Sequence, residues 1–434
     1  MQSVASEVPR VSSTCKTLTT NFAPHILSIY HPGALYMARL GLLASVGTAA
    51  FFARHTCCST ADAASTVTSR KSNFTSLANV PPTVANRCSS FDLESFGKAK
   101  NCGSPWSAPC FDYSRCHDNK SIYVYDENCT LADSSKITVG RSFALRRAAQ
   151  QAGMLAESYE DACIFIMLNN FREVSCATSA PLWNDGVNHV MFDITDPSRD
   201  KRLYYYNSYA MEAATSQHTC HYRNGFDISI GHTPKAVFHD LQTTAPDARR
   251  YFLTFRGTMY FNRHGYEERA SVLNLHDPEG GVVVAEKCSN DRLHRGPEPN
   301  RQFCAVEMMP RYESFDFEDL MNTTFALVPG GGSPGTHRLA EVMSAGAIPV
   351  IVVRDWVKPF PEKVDWSSFS FTFSPDEVPQ MLEVLRSLPL AEIEEMQRKA
   401  IEAYWKIYGG MTNYSWIWGL TIEILSERLG YHRG

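Results

Sequence analysis

Neither sign of charge dominates this 434-residue chain, whose 41 basic and 46 acidic side chains leave a formal net charge of −5. The polycationic character of a general nucleic-acid binder is therefore missing, although a small anionic ligand needs only a few local donors. The chain contains no Walker phosphate loop and no spaced Rossmann glycine fingerprint, so nothing in it points to ATP hydrolysis or to NAD. An Asp-x-Asp triplet is absent, as is any convincing internal repeat. There is no close Cys-x-x-Cys pair with a matching second pair, which weakens zinc as the reason for the 13 cysteines.

What is present begins with those cysteines. Cys102, Cys110 and Cys116 cluster, and Cys288 and Cys304 flank a short polar segment. Both groups suit disulfides in an oxidising compartment, with zinc as the weaker rival. Five Asn-x-Ser/Thr sites, at Asn73, Asn119, Asn128, Asn322 and Asn413, favour a secretory route in the same modest way. Near the N-terminus the apolar run at 40–53 has 14 residues, short of the about 20 that a helical span needs. Extending it back to Leu35 takes in Arg39, which would snorkel at one end, while Arg54 and His55 bound the other. Residues 35–53 thus read as a marginal signal anchor, starting too late for a simple cleaved signal peptide. An amphipathic presequence and an imperfect gene start are the competing readings. Residues 1–100 form a Ser-, Thr- and Ala-rich tail, with a stem after the anchor.

The length allows two or three domains and the 44% hydrophobic content allows sizeable cores. Short apolar runs at 122–125, 162–168 and 189–193 read as buried parallel strands, with 235–239 as a strand near a sheet edge and 143–153 as a helix. A second series follows: strands at 250–257, 281–285, 325–328 and 348–353, and helices at 317–322, 336–345, 382–388 and 391–407. The fold class predicted is α/β, two doubly wound domains facing a cleft, at 101–247 and 248–410. A C-terminal segment at 411–434 folds back across them.

The most informative stretch runs from Phe325 through Gly330-Gly-Gly-Ser-Pro-Gly335 to Ile351. It reads as strand, glycine-rich turn, helix and strand. Ligands of such folds bind at the carboxyl ends of parallel strands, and glycines allow close approach of a ligand to the backbone. A helix starting near Thr336 offers N–H groups to a phosphate. Arg338 and Glu341, three residues apart, share a helix face. The arginine suits a diphosphate and the glutamate suits ribose hydroxyls. An exposed ion pair is the plainer alternative.

Several blocks in order resemble the exostosin-type glycosyltransferases, the glucuronosyltransferase-like half of heparan sulfate polymerases and their plant wall relatives. They are Cys110-Phe-Asp-Tyr-Ser-Arg-Cys116 with Ile122-Tyr-Val-Tyr125, the segment from Leu182 to Asp193, Phe226-Asp-Ile-Ser-Ile230, and Leu253-Thr-Phe-Arg-Gly257. The glycine-turn block and Trp356 with Pro359-Phe360 complete the set. The resemblance implies a GT-B arrangement of two Rossmann-like domains and transfer with inversion from a nucleotide sugar, usually a UDP-sugar. The acceptor would be a glycan or glycoprotein. No cofactor and no metal are required in this reading, because protein cations hold the diphosphate. It further implies a type II Golgi membrane protein with a luminal catalytic region, a possible partner transferase, and disulfides Cys110–Cys116 and Cys288–Cys304.

On the same basis Arg256, Arg338, Gly335 and Thr336 would hold the diphosphate and Glu341 would position the nucleoside. An acceptor base is expected from the first domain: Asp185 and His189 first, with Asp193 and Asp227 in the same blocks. One departure stands out. Heparan members carry an arginine-rich loop after Val-Pro where this chain has Gly330 to Gly335, with Arg354 as a possible replacement cation. A catalytically silent homologue that supports a partner enzyme or binds polysaccharide is therefore the alternative reading.

Overall fold

The computed structural model describes residues 106–116, 121–126, 141–168, 180–193, 208–219, 222–260, 264–289, 300–409 and 415–432. The expected anchor at 35–53 lies outside them. No helix among the described residues is long and apolar enough to cross a membrane.

Two five-stranded parallel sheets organise the chain. The first runs in the order β1 (Ile122–Val124), β2 (Ile164–Leu168), β3 (His189–Asp193), β4 (Met211–Ala214), β5 (Ile228–Ser229). The second is built from β6 (Tyr251–Met259), β7 (Val282–Cys288), β8 (Thr323–Pro329), β9 (Ile348–Val352) and β10 (Phe371–Phe373), in the order β10-β9-β8-β6-β7. Every residue of β2, β8 and β9 is buried, as expected of parallel strands covered on both faces. The helices used below are α1 (Arg141–Gln151), α2 (Tyr266–Val272), α3 (Arg338–Ser344), α4 (Val378–Arg386), α5 (Leu390–Tyr408) and α6 (Ser415–His432). The architecture is α/β, with two Rossmann-like domains of the GT-B type.

All described residues belong to one compact unit, Val80–Gly434. One apolar cluster explains this, because it joins Ile122, Ile164 and Phe192 of the first sheet to Val328, Leu339, Trp356, Phe360 and Tyr404 of the second domain. Helix α6 returns to the first domain. It packs on α1, places Trp418 4.4 Å from Phe192 between ring centroids, and donates from Arg428 Nη2 to the Asp227 carbonyl at 3.0 Å.

Three local expectations need correction. Residues 235–239 form no strand: Val237 is 46% exposed, and the Phe238 N–H donates to Ser344 Oγ of α3 at 3.1 Å. The fourth place in the sheet belongs to Met211–Ala214, which pairs with β3. The helix expected at 317–322 is a single 3-10 turn, Asp319–Met321. The third correction concerns the disulfides. Cys288–Cys304 forms, but Cys116 bonds to Cys163, and Cys110 is bonded elsewhere. The 3-10 turn Tyr113–Arg115 lies between Cys110 and Cys116 and delivers Cys116 to the start of β2. Asn188 holds the same junction by donating to the carbonyls of Asp112 and Cys163, both at 2.8 Å. Cys116–Cys163 closes a 47-residue separation, so Cys116→Ser should cost about 2–4 kcal/mol in denaturant unfolding. An unchanged midpoint would rule out that contribution. All five described cysteines are in disulfides, which removes zinc as their role.

Of the five sequons only Asn322 falls in the described residues. It is half-buried, with its Oδ1 buried and the Thr324 hydroxyl held by the Pro246 carbonyl at 2.8 Å.

Candidate functional site

The glycine-rich turn leaves the carboxyl end of β8, where the expected crevice should lie. Its start is anchored on both sides. Gly330 N–H donates to the Val352 carbonyl at 3.2 Å, and the Gly330 carbonyl accepts from Arg269 Nε at 2.8 Å. Arg269, buried on α2, also donates from Nη1 to the Thr258 carbonyl at 2.7 Å. It thereby ties the end of β6 to the start of the turn. Two glycines make room for this. A Cβ on Gly257 would stand 2.9 Å from Arg269 Nη1. Gly265, at φ +78°, carries the start of α2 against the carbonyls of Gly330 and Gly331, where any side chain would collide.

Arg338, Glu341 and Arg256 come together as expected. Arg338 Nη2 donates to the Arg256 carbonyl at 2.5 Å, and its Nη1 lies 3.2 Å from Glu341 Oε2. The guanidinium stacks 4.5 Å from the Phe317 ring centroid. Arg256 donates to the Tyr312 hydroxyl at 2.8 Å and lies 3.6 Å from that ring's centroid. The Arg338–Glu341 pair is real but not exposed: the side chains are 14% and 6% accessible. Glu341 also accepts from the Lys235 N–H at 3.3 Å. Burial pushes the Arg338 guanidinium down to about 10, Glu341 opposes this, and Arg269 and Arg256 add to it. It remains charged at neutral pH.

The Nε atoms of Arg256 and Arg338 are buried without a hydrogen-bond acceptor. Buried donors are normally satisfied, and three guanidinium groups gathered at one strand end call for a multiply charged acceptor. Arg354 is not among them, since it pairs with Asp376 at 2.6 Å.

The first domain closes the crevice with the segment after β4. Ser216, at φ +56°, lies 2.6 Å from His232 Nε2 and 2.9 Å from Ser333 Oγ, and accepts from the Gly335 N–H at 3.1 Å. A Cβ at Gly335 would stand 2.6 Å from Ser216 Oγ and 3.0 Å from the His232 ring. Two expectations change here. Gly335 gives its N–H to Ser216 rather than offering it to a ligand. Helix α3 starts at Arg338, two residues later than expected, and the Thr336 hydroxyl accepts from the Arg338 N–H at 3.3 Å. Further along, His218 Nε2 lies 3.7 Å from Asp355 Oδ2, and His337 Nδ1 donates to the Thr233 carbonyl at 2.6 Å.

Asp185 and His189 are corrected by position. They lie in the turn before β3 and at its first residue, whereas the crevice adjoins the other end, where Thr215 N–H donates to the Asp193 carbonyl. Five residues of strand separate the ends by about 13 Å at 3.3 Å per residue. His189 is fully buried, stacked 4.9 Å from Phe165, and hydrogen-bonded through Nδ1 to the Val187 carbonyl at 2.8 Å. Burial pushes its imidazole down to about 4, so it is a packing residue. Asp185 is exposed at φ +58° on a turn, where its carbonyl accepts from the Tyr209 N–H at 2.8 Å. Asp227 is structural as well, paired with Arg223 at 2.7 Å and accepting from the Glu212 N–H at 2.9 Å.

Arg269 and His218 were missed in the sequence. Gly257 and Gly265 flanking a helix that bears Arg269 were the available signal for the first. Nothing local marks His218, which meets Asp355 of the other domain.

The family described as the exostosin GT47 domain matches residues 142–388. Exostosin-1 of Drosophila melanogaster is 29% identical over 350 residues, covering 74% of this chain and 44% of the fly protein. Exostosin-2 of Homo sapiens is 28% identical over 342 residues, covering 74% and 46%. The chain thus spans a little under half the length of these relatives. Among solved structures, Anabaena Alr3699/HepE in complex with UDP and glucose is 12% identical with a TM-score of 0.38, covering 71% of this chain and 100% of that one. An alpha,alpha-trehalose 6-phosphate synthase from Burkholderia multivorans is 13% identical with a TM-score of 0.35, covering 67% and 74%.

Proposed function

Because the chain belongs to the exostosin GT47 glycosyltransferase family, we propose that it moves a sugar from a UDP-sugar to a glycan or glycoprotein acceptor with inversion at the anomeric carbon. The observation that carries the donor half is the trio Arg256, Arg269 and Arg338 at the carboxyl ends of β6 and β8, with the buried Nε groups of Arg256 and Arg338 lacking acceptors. A diphosphate supplies both the missing acceptors and the missing negative charge. As the sugar–phosphate bond breaks, charge grows on the leaving diphosphate, and donors already fixed by Tyr312, Thr258 and Gly330 stabilise it without reorganising. Glu341, held by Arg338 and Lys235, is placed to accept from ribose hydroxyls. The disulfides support an oxidising compartment, and a Golgi luminal location is part of this proposal.

One observation favours a catalytically silent homologue. The turn from Gly330 to Gly335 carries no cation of its own, and Gly335 N–H is already bound by Ser216. A panel of UDP-sugars titrated into the full chain, with EDTA present throughout, separates the two. Saturable binding of one donor, followed by UDP release with an oligosaccharide pool, is the expected result. Binding with no transfer to any acceptor leaves the silent homologue. No binding by folded protein removes the donor site itself.

A further inference from the structure

We propose that Tyr312 is the residue that positions Arg256 for the donor diphosphate, and that the Cys288–Cys304 disulfide fastens the segment that carries Tyr312. The proposal rests on the UDP-sugar reading and adds to its donor site a positioning residue and a covalent dependence.

Tyr312 holds Arg256 in three ways. Arg256 Nη1 donates to the Tyr312 hydroxyl at 2.8 Å, and Nη2 donates to the Tyr312 carbonyl at 3.4 Å. The guanidinium carbon lies 3.6 Å from the Tyr312 ring centroid. Both terminal nitrogens are therefore committed to one residue, and Nε is the nitrogen left without an acceptor. Lys287 Nζ stands 5.1 Å from the same ring, so the ring attracts two cations at once. An unbraced arginine keeps much rotamer freedom, and a donor fixed beforehand loses less entropy when a ligand binds.

Tyr312 itself needs an anchor. It lies near the end of a helical segment made of Asn300–Phe303, Cys304–Met308 and Met309–Glu313, whose middle part is a π turn. Pro310 lacks the N–H that a regular helix would donate four residues back, into that turn, and π turns take up such misfits. An isolated helix of this length is marginal in water, and the proline weakens it further. The disulfide supplies a hold that the helix lacks. Cys288 ends β7 and Cys304 opens the π turn, both fully buried. Met308, at the end of that turn, brings its Sδ to 3.4 Å from Cys288 Sγ. Cys304 and Tyr312 are about two helical turns apart, so the bond acts on the tyrosine over a short distance.

The other end of the segment is fastened to β6. The Thr254 hydroxyl donates to the Leu320 carbonyl at 2.7 Å, and the Tyr251 hydroxyl donates to Asp319 Oδ2 at 3.0 Å. Between the two fastenings, Tyr312 meets Arg256 and Phe317 meets Arg338. One braced strip thus orients two of the three arginines of the donor site.

The test uses the full chain and UDP affinity by calorimetry. Tyr312→Phe keeps the ring, loses the hydroxyl, and should weaken UDP binding about threefold. Tyr312→Leu loses the ring as well and should weaken it about tenfold. Arg256→Lys keeps a cation but has no fork for Tyr312 to hold, so adding Tyr312→Leu to it should cost less than about threefold more. A tyrosine that merely supports the fold would instead lower affinity equally in both backgrounds. Cys288→Ala/Cys304→Ala should lose at least as much UDP affinity as Tyr312→Leu while still unfolding in one cooperative step. If wild type binds UDP and Tyr312→Leu stays within about twofold of it, the positioning role is overturned and the transferase reading stands. An equal loss in the Arg256→Lys background overturns that role too. UDP affinity within about twofold of wild type in the disulfide variant overturns the role of the bond. So does a disulfide variant that fails to fold, since the bond would then serve the whole domain. A wild type that binds no UDP overturns the donor site on which the proposal rests.

Discussion

Arg338→Ala is expected to weaken UDP-sugar binding by about 100-fold or more, since a hydrogen bond to a charged group, lost together with a charge-assisted partner, removes about 3 kcal/mol. The substitution does two things, and they can be told apart. It deletes a guanidinium whose Nε is buried without an acceptor, and it strips the cation from the buried side chain of Glu341. Breaking a buried pair from one side costs about 3–5 kcal/mol of stability, so the single variant should also melt early. Removing both partners in Arg338→Ala/Glu341→Ala should recover part of that stability but none of the diphosphate affinity. Arg338→Lys keeps the charge, but it loses the planar fork that reaches the Arg256 carbonyl and Glu341 together. It should fall between wild type and Arg338→Ala. If UDP affinity in the double variant lies within threefold of wild type, Arg338 is a structural residue and the donor site lies elsewhere.

The parallel strands were legible because each is buried on both faces and so reads as an unbroken apolar run. This holds for Ile164–Leu168 and Ile348–Val352 throughout, and for the stretches 282–285 of β7 and 325–329 of β8. Met211–Ala214 was not legible: Met-Glu-Ala-Ala has little intrinsic strand preference, and its pairing with β3 is imposed by tertiary contacts. Residues 235–239 misled in the opposite direction, since Phe238 turns its ring to Phe317 and its N–H to Ser344 of α3 rather than joining a sheet. The Arg338–Glu341 side of the candidate site was readable for a similar reason. Arg338 and Glu341 lie one helical turn apart, and the glycine turn announces a close backbone approach. The opposite wall, which joins positions 216–219 to 333–335 and 355–357, was not readable, because no periodicity reports contacts between domains. Asp185 and His189 were attractive by residue type alone. Which end of a strand a residue occupies decides whether it can reach the crevice, and both occupy the wrong end.

Glu286 shows how burial sustains the charge of that crevice. It lies on β7 in register with Gly257, on the same strand face as Val284 and Cys288, which belong to an apolar cluster. Neither of its carboxylate oxygens has a hydrogen-bond partner. Burial pushes the Glu286 carboxyl up from 4.5 to about 8, while Arg269 and Arg311 pull it down by less. The folded state therefore holds this proton between about pH 4.5 and 8 while the unfolded chain has released it. Its contribution to stability is complete below 4.5 and is lost as the pH rises through 8. Glutamine cannot ionise, so Glu286→Gln should match wild type near pH 5. At pH 9 it should be more stable by about 3 kcal/mol, at about 1.4 kcal/mol per pH unit with allowance for relaxation around the buried charge. Denaturant unfolding at the two pH values checks this, and parallel behaviour of the two proteins would mean that Arg269 and Arg311 keep the carboxylate ionised. The consequence for ligand binding follows from the same proton. While Glu286 is neutral, the charge of Arg269 is not cancelled from behind and adds to that of Arg256 and Arg338. Above pH 8 the new carboxylate would offset it, so donor affinity should weaken in wild type and hold in Glu286→Gln.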